Sequence, residues 1–175
     1  KYFLWLLKIG IIINVFFLWN TFIMPLKSID THLLFPAQIL FLVSGYRCLF
    51  PVNYTTSAVL HDSFFSSIFF TRFLATFAEV GYIYLFSHLI RLLNAEQIQM
   101  IDFISWLMVL QVIISQFFVW GAIVLNREKF YFYEELGWAI IFFINTILSF
   151  ILLLNINFIP NHKVLLQTNI IFGVI

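Results

Sequence analysis

Residues 57–91 hold six ionisable side chains in a stretch that is otherwise apolar enough to cross a membrane. They are His61, Asp62, Arg72, Glu79, His88 and Arg91. Arginine binds phosphate and carboxylate groups through a planar set of N–H donors, and histidines and carboxylates can transfer protons. Because a charge inside a bilayer is costly, ionisable residues in a membrane span are a default hypothesis for a functional site.

Part of this set forms a stripe on one helical face. His61, Ile68, Arg72, Thr76 and Glu79 follow one another at spacings of 7, 4, 4 and 3 residues, which keeps them within a narrow angular band. Arg72 and Glu79 are separated by about 10 Å along the helix axis. We therefore expect them to be bridged through Thr76 or water, or to pair directly if both side chains extend. The stripe is expected to face protein or a wet cavity.

The composition indicates the environment in which this stripe lies. The chain has 175 residues, of which 63% are hydrophobic and only 10% charged, whereas soluble domains have about 25% charged residues. Such a chain lacks a polar shell and suits a bilayer. The formal net charge of +1 comes without a basic patch, so we expect no nucleic-acid partner.

The predicted fold class is all-α, a polytopic integral membrane helical bundle with five complete transmembrane helices and the start of a sixth. The chain is predicted to be a single transmembrane domain over residues 1–175, with spans at about 2–24, 33–50, 57–93, 103–125, 136–159 and 164–175. Thr56 or Ser57 would cap the third helix. The last run is roughly 18 Å long, short of the about 30 Å of a bilayer core, so we expect the sixth helix to continue.

Short loops make neighbouring helices antiparallel and so sort the polar residues between the two membrane faces. We call the face that holds the N-terminus side A. On that side Arg47 closes the second span, while Glu134 and Glu135 open the fifth. We therefore expect a polar cluster in the side A half of the bundle, with the members Arg47, His61, Asp62, Arg72, Thr76, Glu79, Glu134 and Glu135.

Two interpretations of this cluster remain open. Ion pairs between helices could fix rotation and register without any chemistry. Alternatively, Arg47 and Arg72 would bind an anionic headgroup or a carboxylate, and His61 or Asp62 would move a proton.

The opposite face carries three histidines, His32, His88 and His162. Three histidines could bind a metal, and two could ligate a haem. They lack a tight ligand motif, so no cofactor is predicted. Arg91 is assigned to the interface on this face without a special role. The mid-span amides of Gln111, Gln116 and Asn145 are expected to hydrogen-bond between helices.

Two classes of function follow. The first is a subunit of a larger membrane complex, with membrane lipids and other membrane protein subunits as partners. The second is a membrane enzyme or carrier that acts on a lipid-like or small anionic substrate at the polar cluster. The content of 24 Phe and 6 Gly is typical of AT-rich codon usage, and it favours a mitochondrial or bacterial inner membrane, which is energy-transducing.

Overall fold

In the computed structural model the chain is all-α apart from one short hairpin. The structure describes residues 2–25, 30–53, 58–60, 62–94, 96–127, 129–155 and 160–174. Within these ranges six α-helices follow in order: α1 (Tyr2–Ile23), α2 (Thr31–Leu49), α3 (Ile68–Leu93), α4 (Gln99–Leu125), α5 (Lys129–Asn155) and α6 (Pro160–Val174).

Helices α1 to α5 are long and apolar enough to cross a membrane, by their length and composition. The shortest, α2, has 19 residues, which corresponds to about 28 Å and nearly matches a bilayer core. Helix α6 has 15 described residues. The all-α class and the five apolar helices predicted from the sequence are confirmed.

The first of two compact units covers Lys1–Tyr82, which includes α1, α2 and the first half of α3. Helices α1 and α2 are antiparallel and approach closely at small residues. A Cβ added at Gly10 would lie 2.8 Å from Cys48 Sγ, and one at Gly45 would lie 3.4 Å from the Cβ of Asn14. Glycine at these positions therefore lets the two backbones come together.

The second unit covers Ile83–Ile175, with the rest of α3 and helices α4, α5 and α6. Helices α4 and α5 are antiparallel and cross closely where Gly137 meets Ser115 and Gln111. Nearby, the ring centroids of Phe118 and Tyr133 are 5.4 Å apart. Side chains of α5 and α6 meet through buried amides, described below.

The third helix begins later than predicted, which corrects the span assigned to residues 57–93. Strands β1 (Val52–Asn53) and β2 (Ala58–Val59) form an antiparallel hairpin, and a 3₁₀ turn at Phe64–Ser66 comes before α3. Ser67 has an extended backbone, and its Oγ accepts a hydrogen bond from the backbone N–H of Phe70 at 3.3 Å. Ser67 therefore provides the cap that the sequence analysis assigned to Thr56 or Ser57.

Helices α4 and α5 begin earlier than predicted, at residues 99 and 129 rather than 103 and 136. The segment before the predicted fifth span is helical because its aromatic rings pack on α4. Phe130 stacks on Phe118 with the ring centroids 6.3 Å apart, and the Phe118 ring also contacts Tyr133. Glu134 and Glu135 consequently lie inside α5 and do not open it.

Candidate functional site

Arg72 and Glu79 form a bidentate ion pair on α3. Arg72 Nη1 donates to Glu79 Oε1 at 3.0 Å, and Nη2 donates to Oε2 at 2.9 Å. Two long side chains, extended toward each other, span the two helical turns between them. Thr76 lies between the pair and donates its hydroxyl to the Arg72 carbonyl oxygen at 3.0 Å. Of the expected alternatives, the structure has the direct pair.

The pair is largely buried: the side chain of Arg72 is 7% exposed and that of Glu79 is 18% exposed. The neighbouring Thr71, Ala75 and Ala78 are also buried. The charged stripe therefore faces protein, as the cost of a charge in lipid requires. The carboxylate and guanidinium neutralise each other, and the planar side-on geometry is the strong form of this contact.

An adjacent side of the same helix is apolar and exposed. Phe69, Phe73 and Phe77 are among the exposed hydrophobic residues of the chain, and the rings of Phe73 and Phe77 meet edge to face at 5.1 Å. Their spacing of four residues places them on one face. Helix α3 thus has a charged buried face and a phenylalanine face suited to lipid.

The remaining members of the predicted cluster occupy different settings. Arg47 is exposed in the last turn of α2, and Asp62 is exposed just before the 3₁₀ turn. His61 lies outside the described residues. Glu134 is buried and Glu135 is exposed, and both belong to the second unit. Hydrogen bonds join Arg72, Thr76 and Glu79 into one group.

Aromatic residues connect α2 to the start of α3. The hydroxyl of Tyr46 donates to the carbonyl oxygen of Phe65, and the Tyr46 ring lies 5.8 Å from Phe70 in an edge-to-face arrangement. Phe50 packs on both Tyr46 and Phe65. These contacts hold the 3₁₀ turn against α2, and so they position the beginning of the helix that carries Arg72.

A second polar group, which the sequence analysis missed, joins the end of α3 to the start of α4. Arg91 Nη1 donates to the hydroxyls of Ser87 and Ser105, the latter at 3.0 Å. Ser87 Oγ donates to the Ser105 carbonyl oxygen at 2.6 Å. In the adjoining turn, Asn94 Nδ2 donates to Asp102 Oδ1 at 2.9 Å. We call these five residues the Arg91 cluster.

The available signal for the Arg91 cluster was the spacing of Ser87 and Arg91, four residues apart and so on one helical face. Its partner Ser105 is an uncharged residue on the next helix, which no pattern within α3 could reveal. The turn between α3 and α4 is short, and both serines are fully buried. The tertiary structure was needed to bring them together.

Among the mid-span amides, Asn145 provides the clearest contact between helices. Asn145 and Asn169 of α6 exchange hydrogen bonds of 3.2 and 3.3 Å, and Asn169 Nδ2 also donates to Ser149 Oγ at 2.8 Å. All three residues are buried. The expected interhelical role of Asn145 is confirmed. Gln116 is buried and Gln111 is half-buried.

The histidines proposed as metal or haem ligands lie in different settings, as far as the structure describes them. His32 is exposed in the first turn of α2, in the first unit. His88 is half-buried in the second unit and stacks on Tyr84 at 5.9 Å. The side chain of His162 lies outside the described set. Over the described residues, no three His, Cys, Asp or Glu side chains are grouped closely enough to hold a metal ion.

The fold and the buried charges define a class of protein: an α-helical chain whose five long apolar helices are compatible with several membrane crossings. The comparisons with known proteins do not narrow this class. The chain matches no protein-family model, no curated protein and no solved structure among those searched.

Proposed function

We propose that this chain is a multi-pass integral membrane protein that serves as a subunit of a larger membrane complex. Its five long apolar helices support the membrane location. A mitochondrial or bacterial inner membrane is the proposed compartment, on the basis of the composition.

The observation that carries the subunit role is that the buried charges on α3, Arg72 and Glu79, pair with each other. Both carboxylate oxygens of Glu79 and both terminal nitrogens of Arg72 are engaged in one side-on pair. The guanidinium and the carboxylate neutralise each other in this pair. A neutralised pair lets the buried face of α3 pack against protein, which is a structural use of the two charges.

Helix α1 supports the same proposal. Large apolar side chains are exposed along its whole length, among them Trp5, Ile12, Phe16, Trp19 and Phe22. Of its described residues, only Thr21 is buried. A helix that is apolar around most of its circumference needs lipid or another membrane protein as its surroundings.

The experiment is to purify the protein from its native membrane in mild detergent and to measure the mass and composition of the particle. We expect a particle heavier than the 20.7 kDa chain, with other membrane proteins in fixed stoichiometry. A matched variant, Arg72→Leu with Glu79→Leu, is expected to retain those partners, since the pair acts within the chain. A stable monomer or homo-oligomer of the wild type would overturn the subunit role.

The second candidate is a membrane enzyme or carrier for a lipid-like or small anionic substrate. It is favoured by the exposure of Arg47 and Asp62 in the first unit, which leaves both groups open to a ligand. In that case Arg47→Gln would abolish substrate-dependent stabilisation of the isolated protein. Under the subunit proposal, the same variant leaves the composition of the complex unchanged.

A further inference from the structure

The guanidinium of Arg91 lies over aromatic rings. Its central carbon lies 4.1 Å from the centroid of Trp106 and 5.8 Å from that of Tyr84. The two rings meet edge to face at 6.1 Å. A cation over an aromatic ring is attracted by the negative face of the ring, so Trp106 helps to hold the guanidinium in place.

The N–H groups of Arg91 are unevenly satisfied. Nη1 serves the hydroxyls of Ser87 and Ser105. The side chain of Tyr84 also interacts with the guanidinium of Arg91. Nη2 itself is buried and has no hydrogen-bond acceptor among the described residues, and a buried charged donor without an acceptor is costly.

The charge of Arg91 is also incompletely balanced. Arg91 forms no salt bridge with another described residue. Asp102 attracts Arg91 electrostatically, but its Oδ1 accepts a hydrogen bond from Asn94. Serine hydroxyls are neutral acceptors and leave the positive charge in place. An anionic oxygen would satisfy both the charge and the free donor.

The location favours an anion at the edge of the membrane. Arg91 lies in the last turn of α3, and Trp106 lies roughly 10 Å into α4. The Trp106 side chain is 51% exposed, on the same α4 face as the exposed Phe103 and Leu110. Tryptophan, tyrosine and arginine together are typical of the headgroup level of a bilayer. Arg91 as a whole is half-buried, so part of its side chain reaches the surface, while Nη2 itself is buried.

From this geometry we infer that the Arg91 cluster is a binding site for a phosphate group, with Arg91 as the ligand-binding cation and Trp106 as the platform beneath it. Ser87 and Ser105 are positioning residues: their hydroxyls accept hydrogen bonds from Nη1, and this orients Nη2, the nitrogen proposed to bind the phosphate. The phosphate can belong to a lipid headgroup or be free phosphate. This site is separate from the Arg72–Glu79 pair and does not depend on the subunit role.

The test is a titration of the purified protein, in neutral detergent, with phosphatidylglycerol, with the bound lipid counted by native mass spectrometry. Diacylglycerol with the same acyl chains serves as the lipid control, because it lacks only the phosphate headgroup. We expect the wild type to retain phosphatidylglycerol and not diacylglycerol. We expect Arg91→Gln to weaken this binding by about tenfold, the usual effect of losing one charge-assisted hydrogen bond.

Two further variants separate binding from folding. Arg91→Lys keeps the positive charge but lacks the planar set of N–H donors of arginine. This variant should fold, and it should bind phosphatidylglycerol several-fold more weakly than the wild type does. Arg127→Gln removes an exposed arginine after α4, and it should bind as the wild type does. If Arg91→Gln and Arg127→Gln bind phosphatidylglycerol equally, the proposal is wrong.

Inorganic phosphate distinguishes the two sources of the ligand. Displacement of phosphatidylglycerol by millimolar phosphate would assign the site to free phosphate as well as to lipid, and failure to displace it would assign the site to lipid.

Photocrosslinking of the wild type tests the proposal even if the Arg91 variants do not fold. Phosphatidylglycerol with a photoreactive headgroup should crosslink to peptides that contain Arg91 or Trp106, and crosslinks found exclusively elsewhere would overturn the proposal.

Discussion

The guanidinium of Arg72 and the carboxylate of Glu79 meet side-on across two turns of α3, through hydrogen bonds of 3.0 and 2.9 Å. This contact lies within one helix, so it does not by itself tie α3 to a neighbour. Because the two charges are opposite, the buried face that carries them has no net charge. The same face can then pack against protein beside Ala75 and Ala78.

Breaking this pair should cost more than replacing it. We expect Arg72→Leu to lower the free energy of unfolding by about 3–5 kcal/mol, because the carboxylate of Glu79 is left buried and uncompensated. The double variant with Glu79→Leu should recover most of that loss. The measurement is unfolding by a denaturing detergent, with Arg47→Gln as the exposed-charge control. A double variant as unstable as the single one would contradict the structural role of the pair.

The close crossing of α4 and α5 predicts an effect at Gly137. An added Cβ would collide with Ser115 Oγ and lie 3.0 Å from Gln111 Nε2. Gly137→Ala should therefore destabilise the protein by about 1–3 kcal/mol, the usual cost of overpacking. Thermal unfolding in detergent measures this effect.

Two companion variants test the cause at Gly137. Ser115 Oγ is buried without a hydrogen-bond partner among the described residues, so Ser115→Ala should be tolerated and should partly rescue Gly137→Ala. Gly121→Ala is the matched control, because its Cβ would lie at an ordinary 3.7 Å from Phe130. Equal losses of stability at Gly121 and Gly137 would show that the collision with Ser115 is not the cause of the loss at Gly137.

The buried amides predict coupling between α5 and α6. Asn145→Ala and Asn169→Ala should each weaken the contact, and a double-mutant cycle should give a coupling of about 0.6 kcal/mol, with about 1.7 as an upper bound for such contacts. Thr168→Ala is a suitable control, because Thr168 is exposed and bonds to its own helix at Val164. Additive losses at Asn145 and Asn169 would mean that the two amides do not interact.

The start of α3 predicts a capping effect at Ser67. Ser67→Ala should cost about 1 kcal/mol, since the backbone N–H of Phe70 loses its acceptor. Ser67→Asp keeps an acceptor and should restore stability. Hydrogen exchange of the amides at residues 68–71 is the direct measurement, and unchanged protection in Ser67→Ala would place the cap elsewhere.

Much of the fold could be predicted because the relevant signals are local. Long apolar runs and their polar breaks located five helices, and the spacing of Arg72, Thr76 and Glu79 placed them on one face. The limits of α3 and α5 were harder to predict. Residues 58–60 and 64–65 are apolar but are separated by polar residues, and this mixture does not distinguish a hairpin from the start of a helix. The aromatic segment before Glu134 becomes helical by packing on Phe118.

The sequence by itself determined that this protein is built from apolar helices and that Arg72 and Glu79 must be shielded from lipid, because the cost of charge in a bilayer depends on residue type alone. The tertiary structure decided how those charges are neutralised. It also decided that Arg91 is a separate polar centre, since Ser105 and Trp106 come from another helix. Rotations of helices about their axes depend on packing between them, and no periodicity within one helix specifies them.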